Sequence, residues 1–224
     1  MDNGIVYHWD VTKCMFSAGN ITEKIRVANL DCRGQTVVDL FAGIGYFSLP
    51  YLLKAKCEFL HACEWNPDSV LALRKNLEAN GVPESKFKIH EGDNRLVCPQ
   101  NVADRVNLGL IPTAEMSYEI ACLALKREQG GTLHVHQNVR SESSEPSTGF
   151  EDNLPTFLRR NWTLPKRREW EEWAVRTGVR LQGIMVEKVH CDEGWRVELL
   201  EIVRVKSYAP KVDHLVLDVK IARN

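Results

Sequence analysis

The residues best able to bind a ligand lie in three short motifs, each at the end of a hydrophobic run. In the first, the β-branched run Thr36–Leu40 is followed closely by Gly43 and Gly45. Glycines at these positions permit positive φ angles and allow a ligand to approach the backbone closely. A helix that follows would offer free amide donors, so the motif predicts a binding loop between a strand and a helix.

This loop differs from a dinucleotide-binding loop in its chemistry. Ser48 stands where the fingerprint G-x-G-x-x-G has its third small residue. The carboxylate of Asp39, at the end of the strand, is unfavourable beside a pyrophosphate and suits a cationic or amine-bearing ligand. A single G-x-G turn is common, however, so the loop alone does not identify a ligand.

Two further motifs place polar side chains after the next two predicted strands. Glu64 ends the run Glu58–Glu64, and its carboxylate can accept hydrogen bonds from both hydroxyls of a ribose. Asp93 and Asn94 follow a third strand and suit the amino group and ring nitrogen of an adenine. Each could be a solvated strand end or a plain turn, but their joint spacing predicts an S-adenosylmethionine pocket at one edge of a parallel sheet.

The elements that would position these motifs alternate between strand and helix. The predicted strands are 5–11, 36–40, 58–64, 87–90, 103–110, 132–135, 197–205 and 215–221. The predicted helices are 22–30, 47–54, 68–80, 114–127 and 166–177. This order predicts an α/β fold of the Rossmann-like class I methyltransferase type, with a mostly parallel sheet, helices on both faces and an antiparallel C-terminal edge.

Composition excludes several protein classes. The 224 residues are 44% hydrophobic, which fits one globular domain. The 29 basic and 30 acidic side chains nearly cancel, so the net charge of the protein does not attract it to nucleic acid or to a membrane. No apolar stretch approaches the ~20 residues of a membrane span, and Met1–Gly4 do not resemble a signal peptide.

The seven cysteines contain no C-x-x-C pair, which fits neither a disulfide framework nor a tetrahedral zinc site. We expect buried, reduced thiols, no metal, and a reducing compartment, for which we take the cytoplasm although the nucleus fits equally well.

Several motifs resemble a known superfamily, the tRNA guanine-37 N1-methyltransferases together with the tRNA wybutosine-synthesizing aminocarboxypropyltransferases. The matching segments are Asp10–Lys24, Asp39–Phe47, Cys63–Pro67, Gly92–Arg95, Ala103–Glu115, Thr132–Asn138 and Arg204–Asp218. The resemblance covers roughly residues 5–138 and 186–222 and is weakest over the Ser-rich segment and the Trp-rich helix.

One position separates the two kinds of enzyme in this superfamily. The methyltransferase carries Asn-Leu-Pro after its fourth strand, and its Asn contacts the target guanine. Aligned on Pro112, Leu110 stands where that Asn should be, and leucine cannot hydrogen-bond a base edge. The segment Leu108–Pro112 is similar to the aminocarboxypropyltransferases instead.

The resemblance therefore implies transfer of the 3-amino-3-carboxypropyl group of S-adenosylmethionine to carbon seven of 4-demethylwyosine at position 37 of tRNA(Phe), with release of methylthioadenosine. Guanine-37 N1-methylation is the alternative within enzymes. A non-catalytic domain that binds S-adenosylmethionine is the alternative outside them.

The resemblance also implies roles for three residues near the amino end. Ser17 and Lys24 would reach the methionine end of S-adenosylmethionine, where a hydroxyl and a cation suit a carboxylate. Lys24 could equally be a solvated helix position. Glu23 matches a catalytic base of the methyltransferase, but a carboxylate that favours the start of a helix explains it equally well.

The segment Arg159–Arg168 contains five cations and Trp162 and predicts either an RNA surface or a solvated helix start. In the first case Arg159 and Arg160 would contact phosphates and Trp162 would stack on a base. Pro112, in the segment similar to the aminocarboxypropyltransferases, is also expected to contact the substrate. We expect Trp170 and Trp173 to pack on the sheet.

The domain division predicted here has two parts. Residues 1–16 would be a strand or hairpin left from a missing tRNA-binding region, and residues 17–224 would form the catalytic domain of a monomer, with a flexible loop near 139–152.

Overall fold

The structure, a computed structural model, describes residues 3–15, 18–142, 154–162, 167–189 and 194–223. Its α-helices are α1 Ile21–Ala28, α2 Ser48–Leu53, α3 Pro67–Ala79, α4 Asn94–Val97, α5 Tyr118–Ala124 and α6 Arg168–Ile184. Its strands are β1 Thr36–Asp39, β2 Phe59–Glu64, β3 Phe87–Glu91, β4 Arg105–Leu108, β5 Gly131–Arg140, β6 Leu158–Arg160, β7 Trp195–Ala209 and β8 Val212–Arg223.

The strands form one sheet in the order β3-β2-β1-β4-β5-β8-β7-β6. Strands β1 to β5 pair in parallel, whereas β8 is antiparallel to both β5 and β7. The predicted mostly parallel sheet with antiparallel C-terminal strands is confirmed. Strand β6, which was not predicted, pairs with β7 in parallel at the outer edge.

Both faces of the sheet are covered, as predicted. On β1, Val37 packs into one buried cluster with α1, α2 and α3, and Val38 packs into a second cluster with α5 and α6. This division arises because neighbouring residues of a strand point to opposite faces of the sheet. Helix α3 begins with Pro67 after the cap Asn66, whose side chain accepts from the Asp68 amide. The C-cap of the helix is Asn80, which is followed by Gly81 (φ +68°).

The predicted strand over residues 5–11 is wrong, since the described residues 6–10 form no strand. Instead, the amide of Val6 donates to Asn80 Oδ1 (3.0 Å) and that of His8 donates to Asn76 Oδ1 (2.6 Å). Side-chain amides of α3 therefore satisfy the backbone donors that a neighbouring strand would satisfy in a sheet. Ile5 and Tyr7 are nevertheless buried in the core beside α1 to α3.

Two further elements differ from their predicted bounds. The helix predicted to Arg127 ends at Ala124, because the Lys126 amide donates to Ala103 O (3.0 Å). Strand β5 continues to Arg140, where it still pairs with Val212, so 139 and 140 do not belong to the predicted flexible loop. Residues 143–152 of that loop lie outside the described residues.

Burial confirms two predictions about side chains. Trp170 and Trp173 are buried against the sheet. The six described cysteines are free and buried, and Cys191 lies outside the described residues. Among the described helices, none is long and apolar enough to cross a membrane.

Candidate functional site

A cavity of about 450 Å³ lies at the carboxyl ends of the parallel strands. Its wall is formed by the segments that follow β1, β2, β3 and β4, together with Met15 and Asn20 from the amino end and Met116 and Ser117 before α5. The three predicted motifs therefore meet at one edge of the sheet. Leu40, Phe41, Phe47, Leu110 and Ile111 make much of this wall apolar.

Glu64 is the best placed acidic side chain in the wall. Its Oε2 accepts from the amide of Gly43 and its Oε1 from the amide of Asn66, both at 2.8 Å. These two bonds hold the carboxylate between the loops after β1 and β2. A carboxylate has about four lone-pair positions, so acceptor capacity remains for a ligand.

Asp93 and Asn94 also line the cavity, after β3. Asp93 caps α4 and forms an ion pair with Arg95, which lowers the pKa of Asp93 to about 2. Asn94 is buried: its Nδ2 donates to Leu40 O (2.9 Å) and its Oδ1 accepts from Ser117 Oγ (2.9 Å). Asn94 thus ties three loops of the wall together.

Asp39 lies behind the wall rather than in it. It is fully buried and accepts from Ser48 Oγ (2.7 Å) and from Asn107 Nδ2 (3.0 Å), and burial raises its pKa. These bonds join β1, α2 and β4 beneath the glycine loop. Asp39 therefore positions the loop without lining the cavity.

The two glycines of the loop differ in role. Gly43 (φ +56°) lines the cavity, where its backbone is open to a ligand. Gly45 (φ +102°) is packed from the inside, and a Cβ there would meet Leu73 at 3.0 Å and Leu49 at 3.1 Å. Gly45 is thus required by the packing of α2 against α3 and by its positive φ.

Lys24, one of the two predicted methionine-end residues, does not line this cavity. Ser17 lies outside the described residues. Lys24 is buried, with its Nζ 5.9 Å from the ring centroid of Tyr7. Tyr7 lines a second depression, between the amino-terminal segment and α3, and not the cavity.

Glu23 belongs to a buried charge network outside the cavity wall. Both of its oxygens accept from Arg26 (2.8 and 2.7 Å), and burial raises its pKa. Arg26 also binds Asp218 (2.6 Å), and Asp218 contacts His134 Nδ1 (2.6 Å). Burial raises the pKa of Asp218, but His134 and Arg26 lower it by more. This arrangement favours the structural interpretation of Glu23.

Of the three residues predicted to contact the RNA substrate, Pro112 follows β4 beside the cavity, whereas Arg159 and Arg160 are neighbours on β6, at the outer edge of the sheet. Pro112 is next to the cavity residue Ile111, and its carbonyl accepts from the Asn138 amide. Arg159 is exposed on β6, whereas Arg160 forms a largely buried ion pair with Glu171 (3.1 Å).

The predicted stacking role of Trp162 is wrong. Its ring is buried, and its Nε1 donates to the Glu171 carboxylate at 3.1 Å. A base therefore has no access to its face. The segment around it is instead held together by the buried Glu171, which also binds Arg160.

Several residues of the wall were not predicted. Trp65, Met15 and Met116 are exposed at the cavity and carry apolar surface there. Trp65 directly follows Glu64, so its position along the chain could have indicated it. Met15 and Met116 come from distant parts of the sequence and carry no local signal.

Comparison with known proteins agrees with this geometry. The family described as the TRM5/TYW2 methyltransferase domain matches residues 1–153. The chain belongs to this family.

Curated relatives match nearly the whole chain. The tRNA wybutosine-synthesizing protein 2 homolog of Bos taurus is 48% identical over 98% of this chain and 54% of its own length. The homolog of Danio rerio is 46% identical over 98% and 54%, respectively. The chain thus spans about half the length of these relatives.

Solved structures in the same family confirm the Rossmann-like methyltransferase-type fold. The chain is similar to M. jannaschii TYW2 in complex with AdoMet (TM-score 0.76, 28% identity, 100% of this chain and 85% of that one). It is also similar to P. horikoshii TYW2 in complex with MeSAdo (TM-score 0.73, 28% identity, 100% and 70%).

Proposed function

We propose that the cavity binds S-adenosylmethionine, the ligand called AdoMet in the related archaeal structure. Three glycines lie in its wall, and at Gly109 a Cβ would meet Asn107 at 3.0 Å and Phe47 at 3.1 Å. The cavity volume of about 450 Å³ lies within the range of small-molecule sites. Two carboxylates and an apolar wall suit a nucleoside with a positively charged sulfur.

Different residues of the wall would contact different parts of the ligand. Glu64 would accept from the ribose hydroxyls, and Gly43 would allow the backbone to approach the ligand. Asp93 and Asn94 would bound the adenine, with Asn94 fixing the loops. The Asp93 carboxylate, which is ionised and already accepts from Arg95, would also accept from an amino group. Asp39 and Gly45 would hold the glycine loop in place.

We propose transfer of the 3-amino-3-carboxypropyl group to carbon seven of 4-demethylwyosine at position 37 of tRNA(Phe). Bound S-adenosylmethionine supplies an electrophilic carbon on its methionine arm. Leu110 carries this assignment: it lines the cavity, where it offers an incoming base an apolar surface and no hydrogen bond. The names of the relatives support a role in wybutosine synthesis. Because this chain spans only about half of their length, its activity and its binding of tRNA are proposals.

A turnover assay with precursor tRNA(Phe) and S-adenosylmethionine tests this proposal. Methylthioadenosine and a nucleoside heavier by the aminocarboxypropyl group are expected by mass spectrometry. S-adenosylhomocysteine with a methylated guanine would instead establish the alternative, guanine-37 N1-methylation. Binding of S-adenosylmethionine without either product would establish a non-catalytic binding domain.

The remaining proposals concern other contacts, the compartment and the assembly state. Ser17, Lys24 and Pro112 stay proposed contacts of the methionine end and the base, and exposed Arg159 stays a proposed phosphate contact. The free, buried cysteines support a reducing compartment, and we propose the cytoplasm. We also propose that the protein is a monomer and that 17–224 is the catalytic domain.

A further inference from the structure

The hairpin of β7 and β8 extends past the parallel strands on the side of the cavity. Strand β4 ends at Leu108, which pairs with Val135, but β5 continues to Arg140 and stays paired with β8 throughout. At about 3.3 Å per residue, the antiparallel strands project roughly 16 Å beyond the carboxyl end of β4, where the cavity lies. We call the projecting residues 203–216 the cavity end of the hairpin and the remaining residues, 195–202 and 217–223, its far end.

Packing joins the cavity end of the hairpin to the wall of the cavity. The Phe47 ring of the wall lies edge-on to His136, with centroids 5.2 Å apart, and His136 contacts His214 of the cavity end at 3.1 Å. Strand β7 also contacts the 3₁₀ helix Ala18–Asn20, which contributes Asn20 to the wall. A large molecule with one group in the cavity can therefore contact the cavity end of the hairpin as well.

Charge is distributed unevenly along this hairpin. The far end carries equal numbers of basic and acidic side chains: Arg196, Lys220, Arg223, Glu198, Glu201 and Asp218. The cavity end carries one acid, Asp213, and three bases: Arg204, Lys206 and Lys211. The Asp213 side chain is only 5% exposed, and Arg204 binds it at 2.8 Å. The accessible charge of the cavity end is therefore positive.

The two lysines of the cavity end supply that accessible charge. Lys211 is exposed in the turn between β7 and β8, and Lys206 is half-buried on β7. Within the described part of the chain, neither forms an ion pair with a carboxylate. Lysines that no carboxylate neutralises can instead bind the phosphates of a nucleic acid.

Tyr208 adds an aromatic ring between these two lysines in the sequence. The pairing of β7 with β8 shifts between Ser207 and Ala209, so Tyr208 has no partner across the hairpin. Such a bulge bends the strand and re-aims a side chain. The tyrosine is 54% exposed, so an unpaired base can stack on its ring. In the segment Arg159–Arg168, by contrast, the ring of Trp162 is buried.

We propose that the cavity end of the hairpin binds the single-stranded RNA next to the nucleoside that is modified. Lys206 and Lys211 bind its phosphates, and Tyr208 stacks on an unpaired base. This assignment rests on the proposed function, because the RNA is the tRNA whose nucleoside enters the cavity. A contact to the neighbouring strand positions that nucleoside, and orientation at the reacting atoms supplies much of the rate of group transfer.

Binding of fluorescently labelled precursor tRNA(Phe), measured by anisotropy, tests the two lysines. In the double variant Lys206→Ala, Lys211→Ala, affinity at about 0.15 M salt is expected to fall about 10-fold. The slope of log affinity against log salt should decrease by about 1.4, since each phosphate contact to a single strand contributes about 0.7. The double variant Arg196→Ala, Lys220→Ala is the matched control, because it removes the same charge from the far end and should bind tRNA as the unchanged protein does.

Two variants of Tyr208 test the stacking contact. Tyr208→Ala is expected to weaken tRNA binding about 5- to 150-fold, the range for one stacked base. Tyr208→Phe should keep most of the affinity, because stacking requires the ring and not the hydroxyl. In turnover assays, Tyr208→Ala and the lysine variant should raise KM for tRNA and leave kcat nearly unchanged.

Calorimetry with S-adenosylmethionine separates this surface from the cavity, and thermal unfolding of each variant checks that it folds. Affinity for S-adenosylmethionine should be unchanged in every variant, because none of the substituted residues lines the cavity. Unchanged tRNA affinity in the lysine variant, an equal loss in the far-end control, or a loss of S-adenosylmethionine binding in the lysine variant would each overturn the surface.

The unchanged protein distinguishes failure of the surface from failure of the proposed function. If it binds S-adenosylmethionine but not tRNA, the surface is overturned. If it binds tRNA through the two lysines but neither binds S-adenosylmethionine nor forms product, the proposed function fails and the RNA surface stands.

Discussion

The parallel half of the sheet, β1 to β4, and the antiparallel half, β5, β7 and β8, use polar residues in different ways. In the parallel half, Glu64 and Asp93 stand at or just after strand ends and line the cavity. In the antiparallel half, His134 and Asp218 lie within long strands, buried and bonded to each other. Polar groups at strand ends can serve a ligand, whereas those inside long strands serve the fold.

Behind the cavity, a side chain of its wall contacts the antiparallel half. The Phe47 ring of the cavity wall packs edge-on against His136 of β5, with centroids 5.2 Å apart. His136 in turn contacts His214 of β8 (3.1 Å). The antiparallel half therefore acts as a rigid wall behind the cavity, and the comparison predicts that its variants change stability more than ligand binding.

The largest effect is expected from Asp218→Ala. The change leaves Arg26 with Glu23 alone and removes the partner of His134 Nδ1. Breaking a buried charge network of this kind costs about 3–5 kcal/mol in the free energy of unfolding, which chemical denaturation measures. Asp68→Ala is the control, because Asp68 pairs with Lys13 at the surface and should cost less than about 1 kcal/mol. Equal costs would remove the distinction between the halves.

A pH titration of stability should reveal one histidine of each half, buried His214 and half-buried His61. Burial, together with nearby positive charge, lowers the pKa of His214 and of His61 to about 4. Between pH 6.5 and 4 the unfolded chain binds more protons at these residues than the folded protein, so stability falls as the pH falls through this window. For fully buried His214 the loss is on the order of 2–3 kcal/mol.

Denaturation of His214→Gln across the same window is the control. Its stability should depend less steeply on pH than that of the unchanged protein. An identical slope would show that His214 is not held neutral by the fold.

Glu64→Ala should affect the binding of S-adenosylmethionine more than the stability of the fold. Removal of the carboxylate is expected to weaken S-adenosylmethionine about 10- to 100-fold by calorimetry. Stability should change by only about 1–2 kcal/mol, from the lost bonds to the amides of Gly43 and Asn66. Glu58→Ala, an exposed position just before β2 that pairs with Lys86, should leave affinity unchanged. Unaltered affinity in Glu64→Ala would contradict the proposed ribose contact.

The smallest effect on stability is expected from Trp65→Ala at the mouth of the cavity. Its ring is 79% exposed, so the free energy of unfolding should change by less than about 0.5 kcal/mol. Trp173 lies in α6, which packs against the antiparallel half, and Trp173→Ala removes a ring that is 4% exposed and should cost about 3–5 kcal/mol. Thermal and urea unfolding of these two variants compares the two halves directly. A large loss of stability in Trp65→Ala would show that the mouth of the cavity is part of the hydrophobic core.

Local patterns in the sequence were sufficient to predict the alternation of elements and the loop after β1. Gly43 was predictable because a strand followed by a glycine turn is a local pattern. Glu64 was predictable because it is an acidic residue at the end of the next strand, at a regular spacing from the glycines. The strand at 5–11 was wrong because its alternation is the same whether the backbone pairs with a strand or with the side chains of Asn76 and Asn80.

The sequence by itself determined which segments become buried strands and helices, because hydrophobic periodicity follows from the geometry of one chain segment. It also placed Glu64 and Asp93 at strand ends. Only the tertiary structure decided that Asp39 is a buried support and that Trp162 is covered. Such contacts join residues far apart along the chain, and no local pattern specifies the side chain that will stand opposite.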